Sequence, residues 1–284
     1  MNKGVAVVTG ASRGAGQGIA RALGAAGYTV YVTGRSQTAD ASPLRGTIHE
    51  TAAEVTAAGG RGIAFACDDA DDEAVRTLFA TIERDEGRLD VLVNNAAAIS
   101  GELIQRGPFW TRPVRMADII TVGLRSSYIA AHAAAPLLVA RPGGLMVFTS
   151  APGAVNYAHG PAYGAQKAGT DKMSADMAVE LRPFGVASVC IWIGLLKTAR
   201  SAASMAEKPG QFDFLLPYAE TPDFTGRVIA AIHSDPNMMA LSGRTVIGAE
   251  QAREYGVVDI DGNSPDSLRS VVGGPFKYDD LIID

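Results

Sequence analysis

Tyr163 and Lys167 stand four residues apart in the run Ala162-Tyr163-Gly164-Ala165-Gln166-Lys167. On a helix, positions four apart share a face, so this spacing sets an ammonium beside a phenol. A free tyrosine, with a pKa near ~10, is too weak an acid for rapid proton donation at neutral pH. A neighbouring cation favours the phenolate and draws that pKa toward the working range. Such a pair can give a proton to a carbonyl oxygen or take one from a hydroxyl. The spacing alone is common on helices, so its weight depends on what else the chain carries.

A second group is Thr9-Gly10-Ala11-Ser12-Arg13-Gly14-Ala15-Gly16. Glycines between a strand and a helix let the backbone approach a pyrophosphate, which then sits among unpaired N–H groups at the helix N-terminus. The pattern is Gly10, three residues, Gly14, one residue, Gly16, rather than G-x-G-x-x-G. Tight turns also need glycine, but the position after the first strand of a βαβ unit favours a dinucleotide site. The second strand ends Thr33-Gly34-Arg35, without the acid that binds the ribose 2′-hydroxyl in NAD sites. Arg35 and Arg13 can both pair with a 2′-phosphate, so NADP(H) is expected in preference to NAD(H).

These groups need a frame. Short β-branched runs at 5–9, 29–33, 62–67, 91–94, 145–149, 187–193 and 244–247 alternate with helical patterns at about 15–27, 48–58, 72–86, 114–140, 161–182 and 221–233. The strand runs are almost wholly apolar, as when helices cover both faces of a parallel sheet. Alternation implies right-handed βαβ crossovers and a doubly wound α/β fold. It continues to about residue 247 without a linker or repeat, which favours a single domain over 1–284. Residues 36–47, 96–113 and 195–220 read as irregular. The last carries Met205, Phe212, Phe214 and Leu215, and is either a lid over a substrate pocket or a segment packed on the body. The tail, 248–284, is rich in Gly and Asp and would pack on the body or on a neighbouring subunit.

The 284 residues suffice for a full core, with 47% hydrophobic content. A net charge of −5 and the absence of a Lys/Arg run give nucleic-acid binding no support. Cys67 and Cys190 lie far apart in apolar runs and read as buried thiols of a reducing compartment. The four histidines show no metal-ligand spacing. No segment approaches the ~18–20 apolar residues that span a bilayer, and the expectation is a soluble cytoplasmic protein with no membrane partner.

Taken together, the chain resembles the short-chain dehydrogenase/reductase (SDR) family. The resemblance rests on Thr9-Gly-x-x-x-Gly-x-Gly16, Asn94-Asn95-Ala96-Ala97, Ser150 thirteen positions before Tyr163, and the Tyr163–Lys167 pair, in that order. The runs Val122-Gly123-Leu124-Arg125, Ser150-Ala151-Pro152-Gly153 and Tyr255-Gly256-Val257-Val258-Asp259-Ile260-Asp261-Gly262 bring it nearest to the dehydrogenase/reductase member 1 branch. The resemblance implies a Rossmann fold with a seven-stranded parallel sheet in the order 3-2-1-4-5-6-7. It implies hydride transfer between nicotinamide and a carbonyl or secondary alcohol, with Tyr163 as general acid/base, Ser150 orienting the oxygen, and Lys167 holding the nicotinamide ribose. Without it, Ser150 would read as a hydroxyl capping the next turn. Gly10, Ser12, Arg13, Gly14, Gly16, Arg35, Asp68, Asn94, Lys167 and Thr198 become the cofactor-binding set, and a homodimer or homotetramer through the two long helices is implied.

The pattern also breaks. Many family members carry an asparagine in the long helix after the fourth strand, holding a water that links the lysine to solvent; here Gly123 occupies that place. Glycine can let the helix bend and free a carbonyl, so a relay through backbone and water is expected, with Gly123→Asn tolerated. Ile193-Gly194 stands where Pro-Gly is frequent, leaving the loop less stiff. Two other functions stay open. One is 3-oxoacyl-thioester reduction, for which Arg106, Arg112 and Arg115 are possible basic contacts. The other is a dinucleotide-binding sensor or scaffold that has lost turnover.

Overall fold

Val5-Ala6-Val7-Val8 offers no polar face to water, so it is stable only where both of its faces are covered. In a computed structural model describing residues 3–40, 45–105, 107–207, 210, 213–279 and 281–283, it forms β1, an interior strand of the sheet, fully buried. The other strands are β2 (Thr29–Gly34), β3 (Arg61–Ala66), β4 (Val91–Asn94), β5 (Leu145–Ser150), β6 (Ala187–Trp192) and β7 (Thr245–Ile247). All pair in parallel, in the order β3-β2-β1-β4-β5-β6-β7, as expected.

The helices divide between the faces by their apolar stripes. Ile19 and Leu23 of α1 (Gly14–Ala25), Val55 of α2 (Ile48–Ala57) and Val228 and Ile232 of α7 (Pro222–Ser234) cover one face with Ala6, Val8 and Ile191. Leu78 and Ile82 of α3 (Asp72–Glu86), Leu138 from the fourth helix and Leu181 of α5 (Pro161–Leu181) cover the other with Val5, Val7 and Cys190. Alternate residues of each strand enter opposite cores, the period-two geometry of a sheet buried on both sides.

The fourth helix departs from the single helix expected over 114–140. It begins as a 3₁₀ turn at Val114–Ala117, becomes α-helical at Asp118–Ile120, widens to a π segment at Thr121–Arg125, and resumes as α-helix over Ser126–Val139. Gly123 lies within the wide turn. A π turn displaces carbonyls from the ladder, and here side chains take them: Ser126 donates to Val122 O and Ser127 to Gly123 O.

The described residues of 195–220 form more regular structure than their composition implies. Leu195–Leu196 pairs in parallel with Ala219–Glu220, and between them lie α6 (Ala199–Glu207) and a 3₁₀ turn at Asp213–Tyr218; Phe212 is outside the described residues. A cleft of about 450 Å³ runs under this segment, lined by Leu195, Leu196, Thr198, Met205 and Leu216. The tail contacts this chain's own body. Asp259 accepts from the Thr221 N–H at 2.7 Å, Asp261 pairs with Lys197 at 2.7 Å, and Asn156 donates to Val272 O at 2.7 Å. Among the described residues, no helix is long and apolar enough to cross a membrane.

Glu220 closes the base of the 195–220 segment and is buried. Its carboxylate accepts from the Gly194 N–H at 3.1 Å and the Thr225 hydroxyl at 2.9 Å. Burial outweighs both donors and pushes its pKa from 4.5 up to about 7. Below the unfolded value, this group's contribution to stability is fully present; it is lost as pH rises through the folded value. The loss amounts to about 3 kcal/mol once both states are ionised. Glu220→Gln should therefore gain stability over wild type as pH rises. Urea unfolding of both proteins at about pH 5 and about pH 8 measures this, and an equal difference at the two pH values would refute it.

Candidate active site

Parallel strands end at one edge of the sheet, and β5 brings Ser150 there, buried, with its Cα in register with Trp192 of β6. Across from that edge runs α5, carrying Tyr163 and Lys167 in its first two turns. Lys167 Nζ lies 5.7 Å from the centre of the Tyr163 ring and donates to Thr149 O at 3.4 Å. The Ser150 hydroxyl donates to Lys167 O at 3.4 Å. Serine, phenol and ammonium thus gather at one point, as their spacing implied.

Three further residues seat the phenol in a role that no sequence pattern assigned to them. Gly153 lets the ring lie against the backbone: a Cβ there would fall 2.4 Å from Tyr163 Cε1. His159 meets the ring edge-on with centroids 5.1 Å apart, from a left-handed backbone at φ 58°. Arg112 holds that turn by donating to His159 O at 2.6 Å.

Burial controls the titration of the pair. Tyr163 is pushed from 10.0 up to about 12, and Lys167 is pulled below its ordinary value, with Cys190 and Asp171 opposing that fall. The expected lowering of the tyrosine by its neighbour does not occur in the protein alone. Withdrawing the phenol from water outweighs a cation 5.7 Å from its ring, itself disfavoured by burial. Tyr163 is therefore held as the acid form.

Gly123 resolves differently from the expectation of a free carbonyl. Its oxygen accepts from Gln166 Nε2 at 3.1 Å as well as from Ser127 Oγ at 3.0 Å. Gln166 Nε2 also donates to Thr170 Oγ1 at 3.0 Å, which leaves the buried Gln166 Oε1 without a protein partner. A buried acceptor with both lone pairs open is a place for an ordered water. A Cβ on Gly123 would stand 2.9 Å from Gln166 Cγ, so Gly123→Asn is not the tolerated change expected from sequence. It should lower stability by about 1–3 kcal/mol through overpacking, and Gln166→Ser in the same chain should restore most of the loss. Thermal or urea midpoints of the single and double variants measure this.

The glycine turn fits a dinucleotide. Gly10 and Gly14 adopt φ of 62° and 59°, and a Cβ on Gly16 would meet Gly10 O at 2.5 Å. The N-terminus of α1 has neither a side-chain cap nor an acid in its first turn, so its N–H groups are open to an anion. The residue tying this turn to β4 is Asn95, whose Nδ2 donates to Thr9 O at 2.8 Å. Asn94, expected to support this region, is buried with both side-chain polar atoms unpartnered by protein, as is Arg13 Nε. Arg13 donates to Ser36 Oγ at 2.6 Å and Gly46 O at 3.0 Å. Burial lowers its pKa, and so do the nearby charges of Arg200 and Arg35. The charge of Arg200, on α6, thus bears on Arg13 alongside that of Arg35, and it was not foreseen from the sequence. Arg35 is loosely paired with Asp68 at 3.7 Å, while Asp69 is buried and pushed up to about 7. Ser12 is buried beside Gly34 and Gly46, and Thr198 forms a reciprocal cap with Ser201 at the start of α6.

Two of the three bases named as possible thioester contacts are otherwise engaged. Arg115 pairs with Glu102, Arg112 holds His159, and Arg106 is outside the described residues.

Known proteins agree with this geometry. Residues 4–209 match the short chain dehydrogenase family model. The chain is 40% identical over 273 residues to the Homo sapiens protein "Dehydrogenase/reductase SDR family member 1", covering 92% of this chain and 85% of that one. A metagenomic short-chain oxidoreductase solved with NADP superposes with a TM-score of 0.67 at 30% identity, over 87% of this chain and 96% of that one. The 3-oxoacyl-[acyl-carrier protein] reductase of Brucella melitensis, solved with NAD, shares the fold with a TM-score of 0.75 at 24% identity, over 87% and 96% of the two chains. A parallel sheet in this order, a glycine turn open to phosphates and a matching family model agree: the chain belongs to the short-chain dehydrogenase/reductase family, the NAD(P)-dependent dehydrogenases and reductases.

Proposed function

We propose that this enzyme is an NADPH-dependent reductase of carbonyl compounds, or an alcohol dehydrogenase in reverse, with Tyr163 as its general acid/base. The observation that carries the reading is the meeting of Ser150, Tyr163 and Lys167 at the strand edge that also ends in the glycine turn. Bound nicotinamide supplies or accepts the hydride. Tyr163 protonates the carbonyl oxygen, and Ser150 orients that oxygen by hydrogen bonding. Lys167 holds the nicotinamide ribose and keeps its charge near the phenol. Gly10, Ser12, Gly14 and Gly16 receive the pyrophosphate, Asp68 and Asn94 flank the adenine and cofactor cleft, and Thr198 meets the nicotinamide end.

Arg13 and Arg35, with no acid at the end of β2, support preference for the 2′-phosphate of NADP. The apolar cleft beneath 195–220 supports a hydrophobic carbonyl substrate and a lid role for that segment in a single-domain enzyme. Exposed Tyr128 and Val179 support a homodimer or homotetramer built through the fourth helix and α5. A screen of NADPH oxidation across ketones, aldehydes, quinones, steroids and acyl thioesters tests the reading. Oxidation is expected with apolar ketones or aldehydes, and none with any class would overturn it in favour of a dinucleotide-binding sensor.

A further inference from the structure

One turn beyond Lys167, on the same stripe of α5, lies a carboxylate that neither hydride transfer nor cofactor binding requires. Asp171 is buried. Its Oδ2 accepts from Trp192 Nε1 at 2.8 Å and its Oδ1 from the Cys190 thiol at 3.2 Å, both from β6. Both oxygens act as acceptors. The Trp192 indole can only donate, so Oδ2 must accept from it, and a donating Cys190 thiol adds a second contact that favours the carboxylate. We propose that Asp171 is a positioning residue: a fixed anion, anchored to β6, that keeps Lys167 protonated in its buried setting and so maintains the charge beside Tyr163.

The charges around it are few. From its own helix it faces Lys167, whose fall in pKa on burial it opposes. From β6 it faces Cys190, held as a thiol well above its ordinary value by burial and by this carboxylate. From the tail it faces Tyr278, pushed up to about 12 by burial and again by Asp171. Burial raises the pKa of Asp171 above its ordinary value, and the Ser150 hydroxyl from β5, the Trp192 and Cys190 donors and the charge of Lys167 all oppose that rise and favour the carboxylate. Lys172 and Asp176 form an exposed ion pair on the outer side of the helix. Lys167 is therefore the cation among these neighbours, and burial would otherwise favour its neutral amine. With Trp192 and Cys190 holding its oxygens, Asp171 acts on Lys167 through space while Lys167 Nζ remains directed at Thr149 O.

The test is a pH titration of Lys167 by NMR of isotope-labelled lysine Cε in the full chain, with the signal assigned by Lys167→Met. In Asp171→Asn the midpoint should fall by about one pH unit or more, as expected when a near counter-charge is removed; in Asp171→Glu it should stay near wild type. An unchanged midpoint in Asp171→Asn overturns the proposal, since a merely structural role would leave the titration where it was. The amide can keep the Trp192 bond through Oδ1 and present its N–H to the sulfur, a weak acceptor. If that variant does not fold, Asp171→Asn with Cys190→Ala removes the facing thiol and is read the same way. The functional meaning rests on the catalytic reading above, and the two can fail separately. Activity retained in Tyr163→Phe would sink that reading while leaving the electrostatic coupling intact. Activity lost in Tyr163→Phe with an unmoved Lys167 midpoint would sink the Asp171 proposal alone.

Discussion

Tyr163→Phe should lower carbonyl reduction by roughly 10³-fold, within the range of a lost general acid, while cofactor affinity stays within about twofold of wild type. The change deletes one oxygen and keeps the ring, so the edge contact with His159 and the seat against Gly153 survive. The glycine turn and its guanidiniums are untouched, and nothing in the dinucleotide site depends on the phenol oxygen. Turnover with a carbonyl substrate, beside fluorescence titration with NADPH, separates the two effects. Equal loss of binding and turnover would mean that Tyr163 is structural. Because burial holds the phenol at about 12, the acid form persists well above neutrality. Loss of reductase activity on the alkaline side should then follow Lys167, whose pKa is lowered, before it follows the tyrosine itself.

The second large effect concerns cofactor choice. Gly34→Asp combined with Arg35→Ser should reverse the preference from NADPH toward NADH, changing the ratio of kcat/KM values by about 10²-fold or more. A charge-assisted hydrogen bond contributes about 1.5–3 kcal/mol, which sets the scale of this change. The new acid would stand at the end of β2, where it accepts a ribose 2′-hydroxyl and repels a 2′-phosphate. Space permits it: a Cβ on Gly34 lies 3.3 Å from Ile48 Cγ2, an adjustable side-chain contact, and 3.7 Å from Ser12 Cβ. Arg13 is left in place because it also braces Ser36 and Gly46. Steady-state kinetics with both cofactors decide the matter, and an unaltered ratio would remove Arg35 from the recognition of the 2′-phosphate.

Much of this molecule was legible before folding because its signals are local. The strand runs are apolar at nearly every position, which only a doubly covered sheet explains, and each lies within one residue of its expected bounds. Tyr163 and Lys167 meet because helical periodicity brings positions four apart onto one face. The glycines of the turn announce themselves by the backbone angles that other residues resist. Segment 195–220 was less legible, because its helix is short and its order depends on a two-residue ladder joining its ends.

What the chain order could not disclose depends on contacts between distant elements. The balance between a cation and burial at Tyr163 is a matter of depth, and depth is a tertiary property: the spacing predicts a lowered pKa, and enclosure reverses the sign. Gly123 looks like a missing side chain until Gln166, forty-three positions later, is seen to bond its carbonyl. Asp171 reads as a polar residue on a helix until β6 brings Trp192 and Cys190 to its oxygens. Arg200 acts on the charge of Arg13 only through the fold, since the two are far apart in the chain. By itself, then, the sequence determined the doubly wound sheet, the phosphate-binding turn and the residues capable of proton transfer, since periodicity and residue type are written locally. The tertiary structure alone decided which protonation states those residues hold and what supports them, since desolvation and through-space charge depend on what the fold packs around each group.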